Sequence, residues 1–299
     1  VLLPLGDRTL ALAREIGNVW IQAKALLGLS MSRLFECRAT EGRDYCRQLL
    51  SLGRDSGDPR PLTMGAAQLV FFDALAGDPD LAMEQGQQAI DQSLCPVDRA
   101  LASGALLTGR VMANMDGLSQ AEAERLLADI ADLDKMMEDG DLRSAGNMPD
   151  SLRGLALVLA GRYDEGVKTI LDGAARYDAL GFPMATSLAD YFLGQIYLQI
   201  AISGERPPAS VMLRNTWFLI KTLPRAAALA QRYLESAMAG VTEQAPGFYA
   251  DAEFNLGLLH AAKGRKDKAR ACFEHARPLA VEAGAEGIVT RIEEAMAAL

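Results

Sequence analysis

Between Ala252 and Gly284 the apolar and polar positions form two helical stripes separated by a glycine turn. Leu256, Leu259 and Ala262 recur three residues apart, the spacing that sets side chains on one face of an α-helix, and Gly257 leaves a smooth spot on that face. Gly264 predicts the stop, because glycine readily adopts the backbone conformation found just past a helix C-terminus, and Arg265 to Lys268 read as a solvated turn. The second stripe is Ala269, Phe273 and Ala276, small-large-small at i, i+4 and i+7. Its alanines admit the first helix closely while Phe273 fills the crevice between the two. Two antiparallel helices of this kind cannot bury their faces alone and need neighbours of the same kind, which is the logic of a solenoid.

The second-helix pattern recurs upstream. Ala230, Leu234 and Ala237 match it, as do Gly166, Ile170 and Gly173; Ala82, Gly86 and Ala89 match without the large residue. Ala123, Leu127 and Ile130, and Gly42, Cys46 and Leu49, carry a larger apolar residue at the last position. The leading positions are spaced by 40, 41, 43, 64 and 39 residues. Gly57, Gly181 and Gly284 each lie 15 residues after a leading position, and Gly77, Gly161 and Gly264 each lie five before one. Gly17 fits the first series when counted from Leu2, so residues 1–17 read as the second helix of a truncated repeat.

First helices are expected over 20–36, 61–76, 97–114, 147–160, 185–200 and 248–263, each followed by its partner, with prolines at 59, 61, 96 and 183 punctuating the repeats. No alternating strand pattern occurs. The expectation is an all-α, right-handed superhelix of about six helix pairs of ~40 residues, forming one domain over 1–299. The long step implies an insertion of roughly 24 residues over the repeat period, placed at about Ser203 to Leu223.

Composition sharpens this picture. Half of the 299 residues are hydrophobic but only 6% are aromatic, as suits helices packed through small residues. A net charge of -9 argues against a nucleic-acid-binding body. Cys37, Cys46, Cys95 and Cys272 show no metal-ligand spacing, and the reading is a reducing cytoplasm. No signal peptide or spanning segment is read from the chain, which starts without Met and looks cut from something longer.

Leu193-Gly194 with Tyr197, Leu256-Gly257 with His260, and Leu27-Gly28 resemble the first-helix signature of tetratricopeptide repeats, although the family's tryptophan is unmatched and the period is longer. The combination YFLGQIYLQI, VMLRNTWFLIKTLPRAAALAQRYLESAM and NLGLLHAAKGRKDKARACFEHA resembles the C-terminal region of bacterial class III nucleotide cyclases, most strongly over residues 187–299. That resemblance implies an N-terminal cyclase domain, a central AAA-type ATPase and a helical-repeat tail engaged in signal transduction. The tail itself is then a non-catalytic regulatory module. Its implied partners are proteins: its own upstream domains, another protein, or a second copy of the chain. A small-molecule-sensing repeat domain of a signalling ATPase or transcriptional regulator is the competing reading.

No phosphate-loop motif is present, and Gly264-Arg265-Lys266 reads as a turn. Neither the two histidines nor the carboxylates between Glu122 and Asp141 have the partners that catalysis or metal binding needs, so no catalytic, cofactor or metal residue is expected. Two sets of partner-binding candidates remain. The first comprises first-helix side chains off the packing stripe: Gln22, Met64, Phe71, Tyr191, Gln195, Gln199, Phe254 and Leu258, of which Phe71 and Phe254 equally suit plain core. The second is the insertion, where Val211 to Leu223 reads as one apolar helix with basic edges. Arg214, Trp217, Phe218 and Lys221 are its contacts; alternatively Trp217 and Phe218 plug an irregular stack. Glu205 and Glu235 bracket a stretch without a single acidic residue.

Overall fold

Proline and glycine set the helix boundaries. In the computed structural model, which describes residues 2–36, 38–75, 78–114, 118–141, 150–181, 183–202, 209–241 and 245–299, helices begin on Pro59, Pro79, Pro96, Pro183 and Pro246. At that position the missing N–H costs nothing and the fixed φ is already helical. Every glycine with positive φ among the described residues, at positions 17, 57, 161, 181, 264 and 284, belongs to one of the two glycine series read from the sequence. Gly77 lies outside the described residues.

Three of these ends share one geometry. The Gly264 N–H donates to the Ala261 carbonyl at 2.9 Å and the Arg265 N–H to the His260 carbonyl at 2.9 Å. Gly17 and Asn18, and Gly161 and Arg162, repeat the pair. These bonds satisfy carbonyls that a helix end would otherwise leave bare, and they require a left-handed residue where only glycine sits without strain.

The fold class is all-α, a helical-repeat solenoid in which helices pack chiefly on sequence neighbours, with no strand among the described residues. Contacts gather in two compact units. The first contains α1 (Leu2–Ile16), α2 (Val19–Phe35), α3 (Ala39–Ser56), α4 (Pro59–Leu75), α5 (Pro79–Asp91), α6 (Pro96–Ala113) and residues 128–139 of α7 (Gln120–Asp139). Its core is rich in alanine. Ala66, Ala67, Val70, Ala82, Ala89, Ala102 and Ala105 form one cluster; Ala23, Leu26, Leu29, Leu49 and Met64 belong to another. Small side chains bring helix backbones close, and Arg43 then spans the α3–α4 seam to Asp73 at 3.0 Å and to the Phe72 carbonyl at 3.2 Å. Burial raises the pKa of the Asp73 carboxyl, while Arg43 pulls it back down.

The second unit holds residues 120–127 of α7 and most of the chain from α8 (Asp150–Leu159) onward: α9 (Tyr163–Ala179), α10 (Pro183–Ile202), α11 (Ala209–Arg214), α12 (Thr216–Thr222), a 3-10 turn (Leu223–Arg225), α13 (Ala226–Val241), α14 (Pro246–Ala262), α15 (Lys266–Glu282) and α16 (Glu286–Ala297). The pairs are α8 with α9, α10 with α13, and α14 with α15. Phe273 is fully buried and its ring lies where a Cβ on residue 257 would have to be, so Gly257 is the groove that receives it.

The second-helix register holds at every leading position: Gly42, Ala82, Ala123, Gly166, Ala230 and Ala269 are all buried. Two assigned positions differ. In α7 the packing residue is Leu126, not Leu127, because that helix buries Ala123, Leu126, Ile130, Leu133 and Met137, alternating steps of three and four. Ala262 is exposed, since it occupies the last turn of α14 where the chain already leaves for the Gly264 turn. The carboxylate-rich face of α7 is solvated, with Glu122, Glu124, Asp129 and Asp132 exposed, and α16 is a further helix that the repeat spacing did not predict. No helix among the described residues is long and apolar enough to cross a membrane.

Candidate interaction surface

The insertion is described from residue 209; Gly204 to Pro208, including Arg206, lies outside the described residues. The single helix expected over Val211 to Leu223 is instead broken at Asn215. The break has a polar cause. Asn215 is 3% exposed, and its amide donates to the Gly161 carbonyl at 2.7 Å and the Val211 carbonyl at 2.8 Å while accepting from the Tyr163 N–H at 3.0 Å. A buried amide must find such partners, because leaving one unpaired costs roughly 1–3 kcal/mol. Asn215 thereby pins the α8–α9 turn at Gly161 and satisfies the first N–H of α9 with one side chain. Pro224 then sits in the 3-10 turn before α13.

Around that anchor the insertion has two faces. Phe218 is buried, 6.2 Å from the ring of Tyr163, whose phenol pKa is raised by burial. The Val211 methyls lie against Gly161. Outward stand Leu213, 77% exposed, Trp217, 69%, Ile220, 60%, and Leu223, 57%. Trp217 and Phe218, adjacent in sequence, thus have opposite fates: Phe218 packs as core and Trp217 does not. Lys221 places its ammonium 4.5 Å over the Trp217 ring, and Arg214, Lys221 and Arg225 are exposed.

Beside Arg214 is a cavity of about 280 Å³ lined by Glu124, Leu127, Ala160, Arg162, Glu165 and Arg214. Arg162 donates to Glu165 at 3.0 Å, and this hydrogen bond lowers the carboxyl's pKa. The lining therefore carries two acids and two bases with part of the charge already internally neutralised.

The first-helix candidates disperse. In the first unit Met64 is buried in core, Phe71 packs half-buried on the alanine cluster, and Gln22 is half-buried with its amide 3.4 Å from the Ala13 carbonyl. In the second unit Tyr191 and Phe254 are buried, Gln195 and Leu258 half-buried and Gln199 exposed. Met64, Tyr191 and Phe254 consequently offer no open groove wall; packing of neighbouring helices claims them.

Tyr191 and Gln195 do converge, on a carboxylate that the sequence did not single out. The Tyr191 hydroxyl donates to Asp251, receives a bond from Gln195 at 2.6 Å, and the other Asp251 oxygen accepts from Arg291 at 2.6 Å. The Arg291 guanidinium also lies 5.2 Å from the Phe254 ring centroid. This network ties α10, α14 and α16 together. Asp251 and Arg291 lie 40 residues apart, so no local spacing could have announced it. Among the described residues no cluster of three or more histidines, cysteines and carboxylates is placed to hold a metal.

Compared with protein families and with curated proteins, the chain matches no family model and no curated protein.

Proposed function

We propose that the chain is a non-catalytic, tetratricopeptide-like interaction and regulatory module, the C-terminal part of a multidomain bacterial nucleotide cyclase working in the cytoplasm. The observation that carries this reading is the repeat register, whose six leading positions are all buried. A chain organised this way spends its side chains on stacking and presents the remainder to partners. The stretches that resemble the cyclase tail include α10, α13 and α14, together with the insertion between the first two. Its partners in this reading are its own cyclase and ATPase domains.

The test is to measure cyclic-nucleotide formation by the chain alone and by class III cyclase and ATPase domains with the chain added. The chain alone should give no turnover and should change that of the added domains; turnover without them would overturn the non-catalytic reading. Extending the coding sequence upstream of Val1 checks the parent directly. The competing reading, a small-molecule sensor, would be carried by a ligand that raises the melting temperature in wild type but not in Arg214→Ala.

A further inference from the structure

Five of the fifteen large apolar side chains exposed among the described residues fall between Met212 and Leu223. They are ordered rather than scattered. Leu213, Trp217 and Ile220 follow at i, i+4 and i+7 along the α11–α12 segment, while Asn215, Phe218 and Thr222 on its other side are buried. A solvent-facing helix surface is ordinarily polar; here it is apolar. Basic groups flank it at Arg214, Lys221 and Arg225, all exposed, and between Glu205 and Glu235 a chain of net charge -9 contains no acidic residue.

From this arrangement we infer that residues 212–225 dock on the surface of an anionic lipid bilayer. Leu213, Trp217 and Ile220 enter the boundary between headgroups and acyl chains, and Lys221 and Arg225 sit among the anionic headgroups, whereas Arg214 faces Glu165 across the cavity. Three observations select this occupant. The local charge is opposite in sign to that of the whole chain, so an anionic surface attracts this segment and repels the remainder, which fixes the orientation of approach. Tryptophan beside basic residues is the side-chain combination that suits an interface wet on one side and apolar on the other. Leu213, Trp217, Ile220 and Leu223 are 57–77% exposed. A protein partner needs a matching pocket for each, whereas fluid lipid parts around them. The two short helices lie on a bilayer; they cannot span one. Asn215, fastened to the α8–α9 turn, holds the segment against its unit so that the apolar side is presented whether or not lipid is there. This inference stands apart from the protein-interaction reading, and either can fail alone.

The test uses the full chain carrying Trp20→Phe, which leaves Trp217 as the one tryptophan. Vesicles of phosphatidylglycerol with phosphatidylcholine are compared with phosphatidylcholine alone, by co-sedimentation and Trp217 emission. Expected are co-sedimentation and a blue shift with the anionic vesicles only. Lys221→Glu with Arg225→Glu should weaken binding by at least about tenfold, and Leu213→Ser with Ile220→Ser should abolish it. The wild-type comparison decides by itself: no binding, or equal binding to both vesicles, overturns the inference. So does anionic binding that both double variants leave intact. Self-association lost in Leu213→Ser with Ile220→Ser, without vesicle binding, also overturns it and assigns the face to a second copy.

Discussion

The α14–α15 pair and the inserted α11–α12 segment belong to the same unit and are both helical, yet they distribute polarity in opposite ways. In the pair, Leu259, Phe273 and Ala276 are buried, while Lys266, Asp267 and Lys268 face water. The inserted segment buries an amide, Asn215, and leaves Leu213, Trp217 and Ile220 in water. The pair is held by shape, a phenylalanine seated against a glycine. The segment is held by two directed hydrogen bonds joining one asparagine to Gly161 and Tyr163, with Val211 and Phe218 packed beside them. Covering each exposed side chain there would be worth roughly 1.5–3 kcal/mol, which is a reason to look for what covers them. Repeats stack by apolar complementarity; the inserted element has no repeat partner and adds a buried amide to the packing of Phe218 and Val211.

The largest effect should come from emptying the pair's crevice. Phe273→Ala removes a fully buried ring from its Gly257 seat and is expected to cost about 3–5 kcal/mol, read from urea unfolding. A loss under about 1 kcal/mol would show the repeat seam to be looser than its packing implies. Asn215→Ala tests the other anchor. It leaves the Gly161 carbonyl and the Tyr163 N–H without their side-chain partner, for an expected loss of about 2 kcal/mol. Hydrogen exchange should rise first at the α8–α9 turn; a uniform rise across the unit would contradict a local role for the amide.

A smaller effect comes from His260, buried on α14. Burial first, then Lys268, Arg265 and Lys263, hold its pKa below the ordinary histidine value. Well above the ordinary histidine value of 6.5 the imidazole is neutral in folded and unfolded chain alike and contributes no slope. As pH falls below that value the unfolded chain takes up the proton more readily, so stability declines until the lowered folded-state pKa is passed. His260→Gln should flatten that part of the stability–pH curve; an unchanged slope would place its origin elsewhere. The smallest change is expected from Leu213→Ser with Trp217→Ser, within about 0.5 kcal/mol of wild type, because those side chains are already in water. A loss comparable to that of Phe273→Ala would erase the contrast between the two regions.

Much of this was legible in the sequence because it depends on local rules. Glycines at fixed offsets required left-handed helix ends and prolines marked helix starts, while small-large-small triplets marked the faces that stack. Each of these follows from backbone sterics or from the 3.6-residue period, within one or two turns of chain. The fate of adjacent Trp217 and Phe218 was not decided there. Composition made both good core or good interface, and only the Asn215 bonds to Gly161 and Tyr163, more than 50 residues away, turn one ring inward and the other out. Tertiary structure also chose Leu126 over Leu127, turned Met64, Tyr191 and Phe254 from groove candidates into packing, and gathered Tyr191, Gln195 and Arg291 about Asp251. Periodicity says which residues share a face of one helix; which neighbour covers that face, and which polar group must find a partner there, is settled only when distant segments meet.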